Sequence, residues 1–119
     1  MDERLEKALE FSNYMVTLNN QKRLLNEKYQ EDLLYFHAGC QFTVTKELVT
    51  FVSMLVDKDQ TDNVVLIDDN GIPCLVSDTE EFLSDIMDTY FSASNEFHSK
   101  YIDLKKKRSV EALVDYDKN

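Results

Sequence analysis

Four side chains in this sequence have the chemistry of soft metal ligands: His37, Cys40, Cys74 and His98. His37-x-x-Cys40 is half of a zinc-like spacing, and four such ligands would close a tetrahedral site. The other half is not a local knuckle, because Cys74 and His98 stand on different predicted elements. Both cysteines lie in apolar, β-prone surroundings where a thiol packs as a small hydrophobe. Core or surface residues, with no metal, is the expectation. A cysteine nucleophile would need a base at hand, and a histidine three residues before Cys40 points elsewhere along a strand or turn. Asp57, Asp59, Thr61 and Asp68 fall at positions 1, 3, 5 and 12 of a calcium-loop register. Asp62 replaces the glycine needed at position 6, and Asp68 replaces the bidentate glutamate at position 12, so a solvated acidic loop is expected. No phosphate-binding loop, dinucleotide fingerprint, nucleophile elbow or His-Glu-x-x-His pattern occurs. No carboxylate pair falls in a predicted apolar-walled pocket that would raise its pKa. The expectation is therefore a chain that is not an enzyme and holds no cofactor.

The carboxylates carry more information as a group. Residues 57–88 hold ten Asp and Glu against Lys58 alone, which is nine of the ten net negative charges. A direct nucleic-acid binder needs the opposite sign, since cations displace counterions at phosphates. Anionic membrane surfaces are disfavoured for the same reason. A protein partner with a basic surface fits better. The window has a bland reading, solubility plus charge at a helix N-terminus, and a sharper one. In the sharper one Asp78, Glu81, Asp85 and Asp88 form a phosphate-like row along one helix face and occupy the basic cleft of a nucleic-acid enzyme. The same stretch carries Phe82, Ile86 and Phe91 outside its helical seam, either to pack on neighbouring hairpins or to dock another chain. Glu81, Phe82, Asp85, Ile86, Asp88 and Phe91 are thus the candidate partner-binding residues.

Two heptad-spaced stripes must position these groups. One reads Ala8, Phe11, Met15, Leu18, Lys22, Leu25, Tyr29, and the other Leu83, Met87, Tyr90, Ser94, Phe97, Tyr101, Leu104. Steps of three and four keep each set on one side of a helix, with Lys22 and Ser94 as polar interruptions. The first helix is expected over residues 3–32 and the second over 78–107, capped by Ser77 or Asp78 and closed by Lys105 to Arg108. Between them the period changes. Leu33 to His37 and Gln41 to Val44 flank a turn at Ala38-Gly39-Cys40. Thr45 then caps a short buried helix to about Val56. Val64 to Ile67 and Ile72 to Val76 flank Asp68-Asp69-Asn70-Gly71, and Asn-Gly is a strong hairpin signal. Pro73 cannot donate to a ladder, which places its strand at an edge. A segment from Val110 to Tyr116 is read as one or two further amphipathic turns.

Composition agrees. A chain of 119 residues is one domain, 1–119, with a β-rich head over about 33–77 and a short C-terminal segment 108–119. Two Gly and one Pro favour long uninterrupted helices. Two distant cysteines are too few for a disulfide scaffold, so a reduced intracellular setting is expected. The acidic N-terminus lacks a following apolar run, so no signal peptide is read there. No stretch approaches the roughly 20 apolar residues that span a bilayer.

Three segments, Ala8-Leu9-Glu10-Phe11-Ser12-Asn13-Tyr14, Val65-Leu66-Ile67-Asp68-Asp69-Asn70-Gly71-Ile72-Pro73 and Arg108-Ser109-Val110-Glu111-Ala112-Leu113-Val114, carry a resemblance. Together they resemble small uncharacterised proteins of T-even-like tailed phages, marine ones included, over most of the chain. None of these motifs has a defined chemical role. The resemblance implies phage origin, and hence action in a bacterial cytoplasm or a virion. The order long helix, hairpin, short helix, hairpin, long helix is also similar to α-type prefoldin subunits, an analogy of architecture alone. Prefoldin assembly through hairpins implies that an open edge at Ile72 to Val76, or at Gln41 to Val44, would permit strand pairing here.

The expected fold is thus α+β: an antiparallel helical hairpin of two long helices with a small head of two β-hairpins and a short helix. The expected function is a non-catalytic interaction protein of a phage, such as an assembly factor, chaperone or minor structural component. It binds a phage structural or host protein, with no direct nucleic acid or membrane contact, and homo-oligomerisation is open. The alternative is an acidic nucleic-acid mimic that inhibits a host polymerase or nuclease.

Overall fold

Thirty residues free of Gly and Pro form the first element of the computed structural model, which describes residues 2–107. Helix α1 spans Glu3–Asp32. Strands β1 (Leu34–His37) and β2 (Cys40–Thr43), helix α2 (Lys46–Asp57), strands β3 (Asp62–Ile67) and β4 (Pro73–Asp78) and helix α3 (Thr79–Lys105) follow. The fold is the expected α+β arrangement of two long helices, a short one and two antiparallel hairpins. Arg108 and the expected turns over Val110 to Tyr116 lie outside the described residues. The described residues gather into two compact units: 29–95, and 2–28 with 96–107.

Residues 29–95 hold both hairpins, which form two separate two-stranded sheets. The first is closed by the two-residue turn Ala38-Gly39, with φ of 50° and 80°. Two positive φ values match the right-handed twist of the strands, and alanine is a strained occupant of such a turn. The second turn is longer than the Asn-Gly signal alone implies. The Asp68 N–H donates to Ile72 O and the Gly71 N–H to Asp68 O, with Gly71 at φ 77°. This three-residue loop over 69–71 ends in a glycine bulge. Ile67 pairs with Pro73 and Leu66 with Cys74. Counting from the bonded pair Asp68 and Ile72, the Ile67–Pro73 position is a non-hydrogen-bonded one, so the missing proline N–H costs the ladder nothing.

The caps are local. Thr45 Oγ accepts from the Leu48 N–H at 3.1 Å and opens α2; Asp78 Oδ1 accepts from the Glu81 N–H at 3.1 Å and opens α3. Strand alternation then sends Cys40, Phe42, Leu66, Cys74 and Val76 inward to meet Val52 of α2 and Phe82 and Ile86 of α3. Phe82 is the hub, with edge-on ring contacts to Tyr35, His37 and Phe42 at 5.3–5.5 Å. Phe82 and Ile86 are therefore core residues, which corrects their place among the partner-binding candidates: their helical phase aims them at the sheets. Thr79 is also fully buried, and its hydroxyl has no hydrogen-bond partner among the described residues.

In the other unit the first half of α1 runs antiparallel to the end of α3. The Tyr14 hydroxyl donates to Lys107 O at 2.9 Å, and the Lys22 ammonium lies 5.8 Å from the centre of the Tyr101 ring. The polar interruption Lys22 thus makes a cation–π contact. In residues 29–95 the other interruption, Ser94, lies with its Oγ 3.4 Å from the Tyr29 hydroxyl. The first half of α1 departs from the heptad reading. Tyr14, Thr17, Leu18 and Gln21 are the sheltered positions, while Ala8, Phe11 and Met15 are exposed. Apolar residues stand on several sides of this helix, so periodicity alone does not select the face that packs.

Phe82→Ala should cost about 3–5 kcal/mol, because it empties the hub of the core, and urea denaturation measures it. Thr79→Val should raise stability by about 1 kcal/mol, since it removes a buried hydroxyl that has no partner, and the same denaturation checks it.

Candidate functional site

Two adjacent carboxylates at the tip of the second hairpin reach the free edge of the first. Asp68 Oδ2 accepts from the Gln41 N–H at 3.1 Å, while its Oδ1 accepts from the Asn70 and Ile72 N–H groups, both at 2.8 Å. Asp69 Oδ1 accepts from the Thr43 N–H at 3.0 Å, and its Oδ2 from the Thr43 hydroxyl at 2.6 Å and the Gln41 side-chain amide at 3.2 Å. The Asp69 N–H donates to Gln41 O at 2.9 Å and the Val44 N–H to Leu33 O at 2.8 Å. The edge Gln41 to Val44 is therefore occupied, a correction to its expected role in strand pairing. The bonds from Ile72, Gln41 and Asn70 hold Asp68 below the ordinary aspartate value of 3.8. Partial desolvation works against Asp69, but the bonds from Thr43 and Gln41 outweigh it and also hold its carboxyl down.

The candidate ligands and nucleophiles are placed differently. Cys40 and Cys74 are both buried, and burial, then the adjacent Cys40 thiol, pushes Cys74 up to about 11. At neutral pH Cys74 is therefore a thiol, which is a poor nucleophile. His37 packs against Tyr35 and Phe82, and His98 is exposed on α3. Of the four calcium-register residues, Asp68 is already committed to three backbone N–H groups. No group of three or more His, Cys, Asp or Glu among the described residues is placed to hold a metal.

The candidate partner-binding row on α3 splits three ways. Phe82 and Ile86 are core. Asp85 is half-buried and accepts a 2.8 Å bond from the Tyr35 hydroxyl, while burial and then this bond push Tyr35 up to about 12. Glu81, Asp88 and Phe91 remain exposed. Phe91 joins Met87, Tyr90, Lys46, Val49 and Thr50 around an open groove of about 320 Å³ between α2 and α3.

A surface that the sequence reading missed lies on the second hairpin. Its inward face packs in the core, while Val65, Ile67, Ile72 and Leu75 are 49–62% exposed. Val65 stands opposite Leu75 and Ile67 opposite Pro73, so these four share the outer face as cross-strand neighbours, while Ile72 sits beside the turn opposite Asp68. The signal was present: Val64-Val65-Leu66-Ile67 is apolar at both parities, which is the pattern of a strand meant to be covered on both sides. Acids close both ends, with Asp62 opposite Asp78 and Asp69 at the tip. Residues 29–95 hold 13 carboxylates and two lysines, a net −11, against +1 for the rest of the chain.

No helix among the described residues is long and apolar enough to cross a membrane. Comparison with protein-family models, curated proteins and solved structures finds no match.

Stability should fall at both ends of the pH scale. Asp68 and Asp69 have depressed folded values, so their contribution is present above about pH 4 and is lost as pH falls below it. Tyr35 has a raised value, so its contribution holds below pH 10 and is lost as pH rises towards 12. Thermal melts across pH 2–12 check both arms. Asp69→Asn should lower stability at pH 7 by about 1 kcal/mol, roughly 4–8 °C in Tm, and flatten the acid arm.

Proposed function

We propose that this chain is a non-catalytic protein-interaction protein that docks a partner on the outer face of the β3–β4 hairpin. The observation that carries this reading is the apolar row Val65, Ile67 and Leu75, each more than half exposed, within a unit of net charge −11. Apolar side chains left open in so acidic a unit fit a partner with an apolar centre and a basic surround. Burial of the row supplies affinity, and the carboxylates supply orientation and association rate. The resemblance to phage proteins supports a phage structural protein or a host protein as that partner, with the chain acting as an assembly factor, chaperone or minor structural component. The acidic-mimic reading is less well supported. A phosphate-like array needs free carboxylates, and Asp85 in the middle of the row is bonded to Tyr35.

The test is capture of the partner from lysates of infected bacteria on wild-type protein, on Val65→Asn/Leu75→Asn and on Glu81→Lys/Asp88→Lys. Docking through the hairpin predicts capture that survives about 0.5 M salt, where exposed charges are screened. It also predicts at least a tenfold loss in the apolar double variant. Capture lost at moderate salt and in the charge-reversed variant, but kept in the apolar one, would replace this reading with inhibition of a nucleic-acid enzyme.

A further inference from the structure

The first half of α1 presents a second surface that is left uncovered among the described residues, in the unit that does not contain the hairpins. Leu5, Leu9, Phe11, Met15 and Val16 are each 36–66% exposed. At 100° per residue they cover one broad side of the helix, with the exposed small residues Ala8 and Ser12 along its middle. Over residues 4–19 this side contains no carboxylate. Glu6 and Glu10 fall on the opposite side, and Arg4 is the one charge at its end. The described residues of this unit hold nine basic and seven acidic side chains, a net +2.

We infer that this face is the contact between two copies of the chain, packed antiparallel about a two-fold axis at position 10 of α1. A two-fold contact must be self-complementary. With the axis there, Ala8 faces Ser12 and lets the helices approach closely, while Leu5 meets Met15 and Leu9 meets Phe11 from both sides. The absence of carboxylates permits a like-with-like contact in a protein of net charge −10. Pairing of two −11 units with each other has no such licence. The exposed side chains offer on the order of 500 Å² per copy, or about 1,000 Å² in the dimer, the lower bound for a specific and reversible interface. Contacts at this low end of size are weak encounters, and the test looks for a dissociation constant on the order of 10–100 μM.

Sedimentation equilibrium of the full chain from about 5 to 500 μM, a range that brackets this constant, should show the mass rising from monomer towards dimer and no further. Leu9→Lys and Phe11→Glu alter exposed side chains and should leave the circular dichroism unchanged. Each alone should weaken association at least tenfold. Their equimolar mixture should recover it. In the mixed pair the two-fold register sets the introduced lysine of one copy against the introduced glutamate of the other. It also leaves the unaltered Phe11 of the first copy against the unaltered Leu9 of the second. A wild-type chain that stays monomeric throughout, or one whose association ignores both substitutions, would overturn the proposal. So would association lost in both variants without recovery on mixing, or growth beyond the dimer.

Discussion

The β-rich unit of this protein depends on two carboxylates that stand in for a missing strand. Two-stranded sheets leave every strand with an unsatisfied edge. Here Asp68 and Asp69 take the Gln41 and Thr43 N–H groups on the edge of β2, while the Asp69 N–H takes Gln41 O. The same Asp68 carboxylate closes its own turn through Asn70 and Ile72. A charge-assisted acceptor with several donors is stronger than a ladder bond, and it fixes the hairpin tip against its neighbour's edge. That anchoring joins the hairpins, and inward residues of both enter one core cluster with Phe82 and Ile86.

This arrangement also decides which surfaces stay open. With the β2 edge occupied, strand addition there has no free donors to use, while the outer face of the second hairpin stays an open apolar surface of the unit. The acidic character divides as well. Asp68, Asp69, Asp78 and Asp85 serve turns, an edge, a helix cap and a tyrosine hydroxyl. Glu81 and Asp88 remain exposed on α3 and are available to set the local field around a partner. An acidic stretch that looks uniform along the chain is thus a mixture of structural acceptors and solvated charge.

The long helices follow another rule. Their packing tolerates polar residues in the seam when a tyrosine stands opposite: Lys22 rests over Tyr101, and Ser94 meets the Tyr29 hydroxyl. Gln21 is buried, and its side-chain carbonyl oxygen has no partner among the described residues, a sign that packing rather than polar matching places α1. The apolar residues left over on its first half are then free for a second surface.

Element types and boundaries were legible in the chain itself. The absence of Gly and Pro over residues 3–32 leaves nothing to break a helix, Thr45 and Asp78 have side chains that can hold the first N–H groups, and Ala38-Gly39 and Gly71 supply the positive φ of turns. These are local effects, decided within four residues. What the chain could not decide was which of several apolar faces is covered. Phe82 and Ile86 read equally as core or docking residues, Phe11 and Met15 read as seam, and Val65 and Leu75 read only as strand residues with no face assigned. Each depends on where elements distant in sequence come to lie, because burial is a property of the neighbour as much as of the residue. Tertiary structure alone brought the hairpins and Phe82 into one core, and among the described residues it left Val65, Leu75 and Phe11 without a cover.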